Sequence, residues 1–69
     1  MRCDVDEQAQ TLVVHRGGLR VAVNLAAEPR AIALDRPGRA LLAASDPAAS
    51  VEGARLRLPA ESAAIVELR

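Results

Sequence analysis

Gln10-Thr-Leu-Val-Val-His-Arg16, then Gly17-Gly18, then Leu19-Arg-Val-Ala-Val-Asn-Leu25 is the stretch on which the fold turns. Two runs rich in β-branched residues flank a Gly-Gly pair, the signature of a β-hairpin with a two-residue loop. Such a loop suits a type I′ turn, with positive φ at both glycines. Setting Arg16 opposite Leu19 then pairs Val14 with Val21, Leu12 with Val23 and Gln10 with Leu25. One face of the hairpin carries Leu12, Val14, Leu19, Val21, Val23 and Leu25. The other sets Thr11 opposite Asn24, Val13 opposite Ala22 and His15 opposite Arg20. Turn chemistry and hydrophobic alternation select the same register.

The rest of the chain continues the pattern. Glu28-Pro29 breaks the second strand, because proline donates nothing to a ladder. Arg30 to Leu34 resumes it, with Ile32 and Leu34 on one face, and Asp35-Arg36-Pro37-Gly38 has turn composition. Arg39 to Ser45 has some helix propensity, yet its length between two proline-containing turns favours a strand. After Asp46-Pro47 come Val51-Glu52 and Arg55-Leu56-Arg57-Leu58, the latter alternating arginines outward and leucines inward. Beyond Pro59-Ala60, Ser62 to Leu68 sets Ala64, Val66 and Leu68 on one face and Ala63, Ile65 and Glu67 on the other. About seven short strands, with a turn every eight to ten residues, predict an all-β fold, a small antiparallel β-sandwich spanning residues 1–69 as a single domain.

Sixty-nine residues leave little room for a core. A chain of this size buries only about 60% of the surface it exposes when unfolded. Ordering it costs on the order of 100 kcal/mol in conformational entropy. Phe, Tyr and Trp are absent, so Leu, Val and Ile must form the core, and much of the remaining apolar content is alanine. Marginal stability alone is expected, with a partner surface completing the fold.

Nine basic residues, all arginine, balance nine acidic ones. That balance leaves no electrostatic footprint for nucleic acid, and the missing aromatics remove base-stacking platforms and sugar-stacking surfaces alike. The acidic opening Arg2-Cys3-Asp4-Val5-Asp6-Glu7 is unlike a secretory leader, and no run of about 18 apolar residues could span a membrane. Cys3, the only cysteine, cannot form an internal disulfide and suits a reducing compartment. A soluble cytoplasmic protein is expected.

Chemistry-bearing residues are few. Asp4, Asp6 and Glu7 form an acidic cluster without the oxygen count or spacing of a calcium loop, and a polar terminus offers no cleft to raise a carboxyl pKa. His15 shares its hairpin face with Val13, Arg20 and Ala22, none of which completes a nucleophilic triad, and it reads as a surface or interface residue. Nothing in the sequence brings Cys3 to it. Arg55 and Arg57 read as a charged outward face protecting an edge strand, and the four glycines read as turn residues. No catalytic, cofactor-binding or metal-ligating residue is assigned.

The hairpin Leu12-Val-Val-His-Arg-Gly-Gly-Leu-Arg-Val-Ala-Val-Asn-Leu25 and the ending Leu56-Arg-Leu-Pro-Ala-Glu-Ser-Ala-Ala-Ile-Val-Glu-Leu68 resemble the C-terminal β-domain of α-amylase-family glycoside hydrolases. With the intervening Leu41-Leu-Ala-Ala-Ser-Asp46, the likeness runs from about Leu12 to Leu68 and is greatest to trehalose-forming members. The chain departs from the family at Thr11, about where members often carry an aromatic. The resemblance implies a non-catalytic accessory domain packed on a (β/α)8 barrel, itself absent from these residues, whose carboxylates would perform any hydrolysis. Two other readings stay open: a free-standing sandwich that associates with itself, and a glucan- or trehalose-binding module using Thr11, Arg20 and Asn24.

Overall fold

The computed structural model describes residues 2–69. Eight strands form two antiparallel sheets: β1 (Arg2–Asp6), β2 (Thr11–Arg16), β3 (Leu19–Asn24), β4 (Arg30–Ala33), β5 (Gly38–Ala44), β6 (Ser50–Glu52), β7 (Arg55–Leu58) and β8 (Ser62–Leu68). The larger sheet has the order β1-β2-β3-β8-β5 and the smaller β4-β7-β6. No helix occurs among the described residues. The all-β sandwich expected from the turn spacing is the fold observed.

The hairpin register is the one that the sequence implies, from Thr11 opposite Asn24 to Arg16 opposite Leu19. Its turn differs: only Gly17 has a positive φ, at 58°. That is the type II′ pattern, with the permissive residue first, and it suits the twist of the strands as well as type I′ does. With glycine at both positions, the sequence does not discriminate between the two.

β1 is an additional strand. The acidic opening pairs with β2 along its length, from Arg2 opposite His15 to Asp6 opposite Thr11. Two further expectations are corrected. Arg55 and Arg57 do point outward, but β7 lies at the centre of the small sheet rather than at an edge. Gly38 opens β5 instead of sitting in a turn, and a Cβ there would lie 2.6 Å from Val51 Cγ2. The missing side chain lets β5 approach the neighbouring sheet.

Between the sheets lies the core: Ala22 of β3; Ala64, Val66 and Leu68 of β8; Ile32 and Leu34; Ala49; and Leu56 and Leu58 of β7. Val13, Leu41 and Val51 pack on it from the periphery. Alternation within β7 and β8 sends every second residue to this interior, as the period of a strand requires.

Candidate functional site

Residues directly opposite one another in an antiparallel sheet share a face. The buried Ala22, Ala64 and Val66 therefore mark the inward face of the large sheet. On the outward face, Val5, Leu12, Val23 and Ala63 form one row and Cys3, Val14, Val21, Ile65 and Ala43 a second. A third row runs Arg16, Leu19, Glu67 and Ala40. Two rows out of three thus carry no charge. Nothing among the described residues covers this surface, and Val5 and Leu25 are 64% and 65% exposed. The small sheet is the opposite case, turning Arg55, Arg57 and Glu52 to solvent.

The hairpin face with fewer apolar groups is thus the buried one. His15 is on that face but beyond the core, where its side chain, 14% exposed, lines an open cleft. Its Nε2 lies 2.6 Å from Asp4 Oδ2, and Arg2 Nη2 donates to the same oxygen at 3.1 Å. The hydrogen bond from Arg2, followed by that from His15, holds the Asp4 carboxyl below its ordinary range. Such a shift is opposite to what a general acid needs. Asp4 and Asp6 do line an open cleft with His15, contrary to the expectation of a cleft-free terminus. Pairing of β1 to β2 creates that cleft. Cys3 is exposed and pairs with Val14 on the other face, away from His15.

Two of the three polar residues considered for sugar recognition are committed to the fold. Asn24 is 0% exposed. Its Nδ2 donates to the carbonyls of Glu28 (2.9 Å), Pro59 (3.0 Å) and Leu58 (3.3 Å), and its Oδ1 accepts from the Ala26 N–H at 2.9 Å. Arg20, also buried, donates from Nε and Nη2 to both oxygens of Asp35 at 3.1 and 2.8 Å. Its Nη1 donates to the carbonyls of Gly17 and Leu19. Thr11 remains half-buried beside the cleft. Sequence reasoning missed both clamps, although the strand alternation that sets Arg20 and Asn24 on one face with Ala22 was available as a signal. Their neighbours Val66 and Ser62 come from the pairing with β8.

The Arg20 hydrogen bonds lower the Asp35 pKa to about 2. A carboxyl depressed on folding contributes stability that is present above its unfolded pKa, near 4, and is lost as pH falls through the folded value. Stability is therefore expected to decline from about pH 4 toward pH 2. Asp35→Asn should flatten that limb in acid-unfolding curves followed by far-ultraviolet circular dichroism.

Among the described residues, no group of three or more His, Cys, Asp and Glu could hold a metal ion. What distinguishes the molecule is the uncovered apolar face. Comparison with known proteins gives it a context. Residues 1–65 match the family model described as Domain of unknown function (DUF3459). The chain belongs to that family. This DUF3459 chain is also 44% identical over 63 residues to the malto-oligosyltrehalose trehalohydrolase of Rhizobium sp. (strain M-11). The alignment covers 91% of the chain and 10% of the relative, so the DUF3459 chain spans about a tenth of that protein's length. The resemblance to a C-terminal region of an α-amylase-family enzyme is thereby borne out. No solved structure matches the DUF3459 chain.

Proposed function

We propose that this chain is a non-catalytic accessory domain of a malto-oligosyltrehalose trehalohydrolase, acting in cytoplasmic trehalose biosynthesis. Its role is to stabilise the enzyme by laying the outward face of the large sheet on the catalytic (β/α)8 barrel. The observation that carries this reading is the apolar character of that face. Soluble monomers rarely leave so continuous an apolar patch to water, and such patches mark surfaces that meet another protein. The 44% identity to a segment making up 10% of a trehalohydrolase supports a larger enzyme as the partner. Hydrolysis belongs to residues outside this chain, where His15 has no nucleophile beside it and Asp4 is held ionised by Arg2 and His15.

The test places this chain in the Rhizobium enzyme, in exchange for the segment it matches, and compares the hybrid with the isolated chain. Val21 lies at the middle of the outward face. Val21→Lys in the isolated chain should cost about 1 kcal/mol, the span of strand propensities. In the hybrid the same lysine is buried without a partner, and the cost should rise to about 3–5 kcal/mol. Equal costs in both settings would sink the accessory role. If the isolated chain also formed a stable dimer that Val21→Lys dissolves, self-association through this face would become the better account.

A further inference from the structure

The two sheets are unequal, with five strands against three. Arg20 of β3 grips Asp35 just beyond β4, and Asn24 at the other end of β3 grips the Glu28 carbonyl just before it. β4 therefore runs alongside β3. β1 and β2 project past the small sheet as a shelf with no strand over them among the described residues. Between this shelf and β4 lies an open cleft of about 590 Å3, with Asp4, Thr11, Val13 and His15 on its floor and Ala31 and Ala33 on its wall.

That wall is the unpaired edge of a strand. The Leu34 N–H donates to the Ala54 carbonyl, and β4 pairs Ile32 with Leu56 and Arg30 with Leu58. In an antiparallel ladder alternate residues bond to opposite sides. The N–H and C=O groups of Ala31 and Ala33 therefore point away from β7, into the cleft. Natural edges are commonly blunted by shortness, by charged side chains, by proline or by a bulge. β4 is four residues long, and Arg30 at its start donates from Nε to the Ala9 carbonyl at 3.1 Å, closing one end of the cleft. Beyond Arg30, residues 31–33 carry no charge, proline or bulge, and the register is regular.

We propose that this edge receives an extended segment of the parent polypeptide, from outside residues 1–69, as a fourth strand of the small sheet. The inference rests on the accessory-domain reading and deepens it by naming a second contact. A strand added about 4.8 Å from β4 and about 10 Å above the large sheet would lie over β2 and place a side chain on Val13. A second copy of this chain cannot take the position. Antiparallel pairing of β4 with β4 puts both β1–β2 shelves on the same side of the joined sheet, where they collide. The other nine-tenths of the trehalohydrolase relative lies outside the aligned segment and supplies ample chain for the purpose.

Amide hydrogen exchange in the hybrid enzyme and in the isolated chain tests the proposal. In the isolated chain the Ala31 and Ala33 amides should exchange nearly unprotected, while those of Ile32 and Leu34 are protected by β7. In the hybrid, exchange at Ala31 and Ala33 should slow by about 100-fold or more, a size typical of paired strands. Ala31→Pro removes one edge donor at a position where proline is tolerated. It should leave the isolated chain's melting temperature unchanged and abolish the added protection at Ala33 in the hybrid. Unprotected Ala31 and Ala33 in the wild-type hybrid would overturn the added strand. If Val21→Lys still destabilises the hybrid selectively, the accessory role survives that result. Should Val21→Lys act equally in both settings, the added strand falls with the accessory role. Where Ala31→Pro fails to fold, the wild-type exchange pattern decides the matter alone.

Discussion

Replacing Asn24 with leucine is expected to unfold the isolated chain at room temperature. The side chain is fully buried and serves three carbonyls and one N–H at the junction of β3, the loop before β4, and the turn after β7. Leucine nearly matches its shape but satisfies none of them. A buried polar group left without its partner costs about 1–3 kcal/mol, and several would be stranded together. A core of this size rarely supplies more than about 3–5 kcal/mol of net stability. Urea titration followed by far-ultraviolet circular dichroism is the suitable measurement, because the chain has no aromatic chromophore. Ser62→Ala is the informative control. Its hydroxyl donates to the Pro59 carbonyl at 2.6 Å, which Asn24 also serves, so its loss leaves that oxygen with a donor. A folded Asn24→Leu chain with an unchanged urea midpoint would refute the clamp.

Leu56→Ala is expected to be nearly as damaging. Leu56 is 0% exposed on the central strand of the small sheet, opposite Ile32 on one side and Val51 on the other. Truncation of a buried leucine costs about 2–5 kcal/mol, with the upper end reached where the surroundings cannot collapse. Collapse is hindered here because the facing sheet contributes Ala22 and Ala64 as well as Val66, and alanines have no side chain to swing into a void. The unfolding midpoint in urea should fall to near zero or below measurable range. Leu42→Ala, on the exposed part of β5, should leave the midpoint within error.

Much of this architecture is legible in the sequence. Gly17-Gly18 and the flanking alternation fixed the hairpin because both signals lie within residues adjacent in sequence and agree on one register. Arg55-Leu56-Arg57-Leu58 announced its inward leucines for the same reason. The facing of the hairpin was harder. Counting apolar groups favours Leu12, Val14, Val21 and Val23 as the interior, yet the buried side is that of Ala22, Asn24 and Arg20. The count misleads when a sheet is apolar on both faces, since only one face can meet the partner sheet. β1 was hidden because Asp4 and Asp6 suggest solvent, while its pairing depends on backbone groups that carry no residue signature. Asp4 and His15 are eleven positions apart, and only the β1–β2 register brings them together. The hairpin's share of the candidate docking face, Leu12, Val14, Leu19, Val21 and Val23, could be listed from the sequence. The contributions of β1, β5 and β8, and the exposure of the face, depend on how the sheets assemble.

β8 is the last strand in sequence but lies between β3 and β5, making it the keystone of the large sheet. While the protein is being synthesised, β1, β2 and β3 can zip into a meander as they emerge. β5 has no place to go until residues 62–68 have left the ribosome. Closing that gap joins Val23 to Ala63 and Leu41 to Val66 in a single insertion, so contacts distant in sequence form at once, which is slow. Between the emergence of β5 and that of β8, the nascent chain therefore carries two strand edges, those of β3 and β5, that wait for the same partner. A chaperone that shields extended segments would have its longest window here, before the keystone drops in.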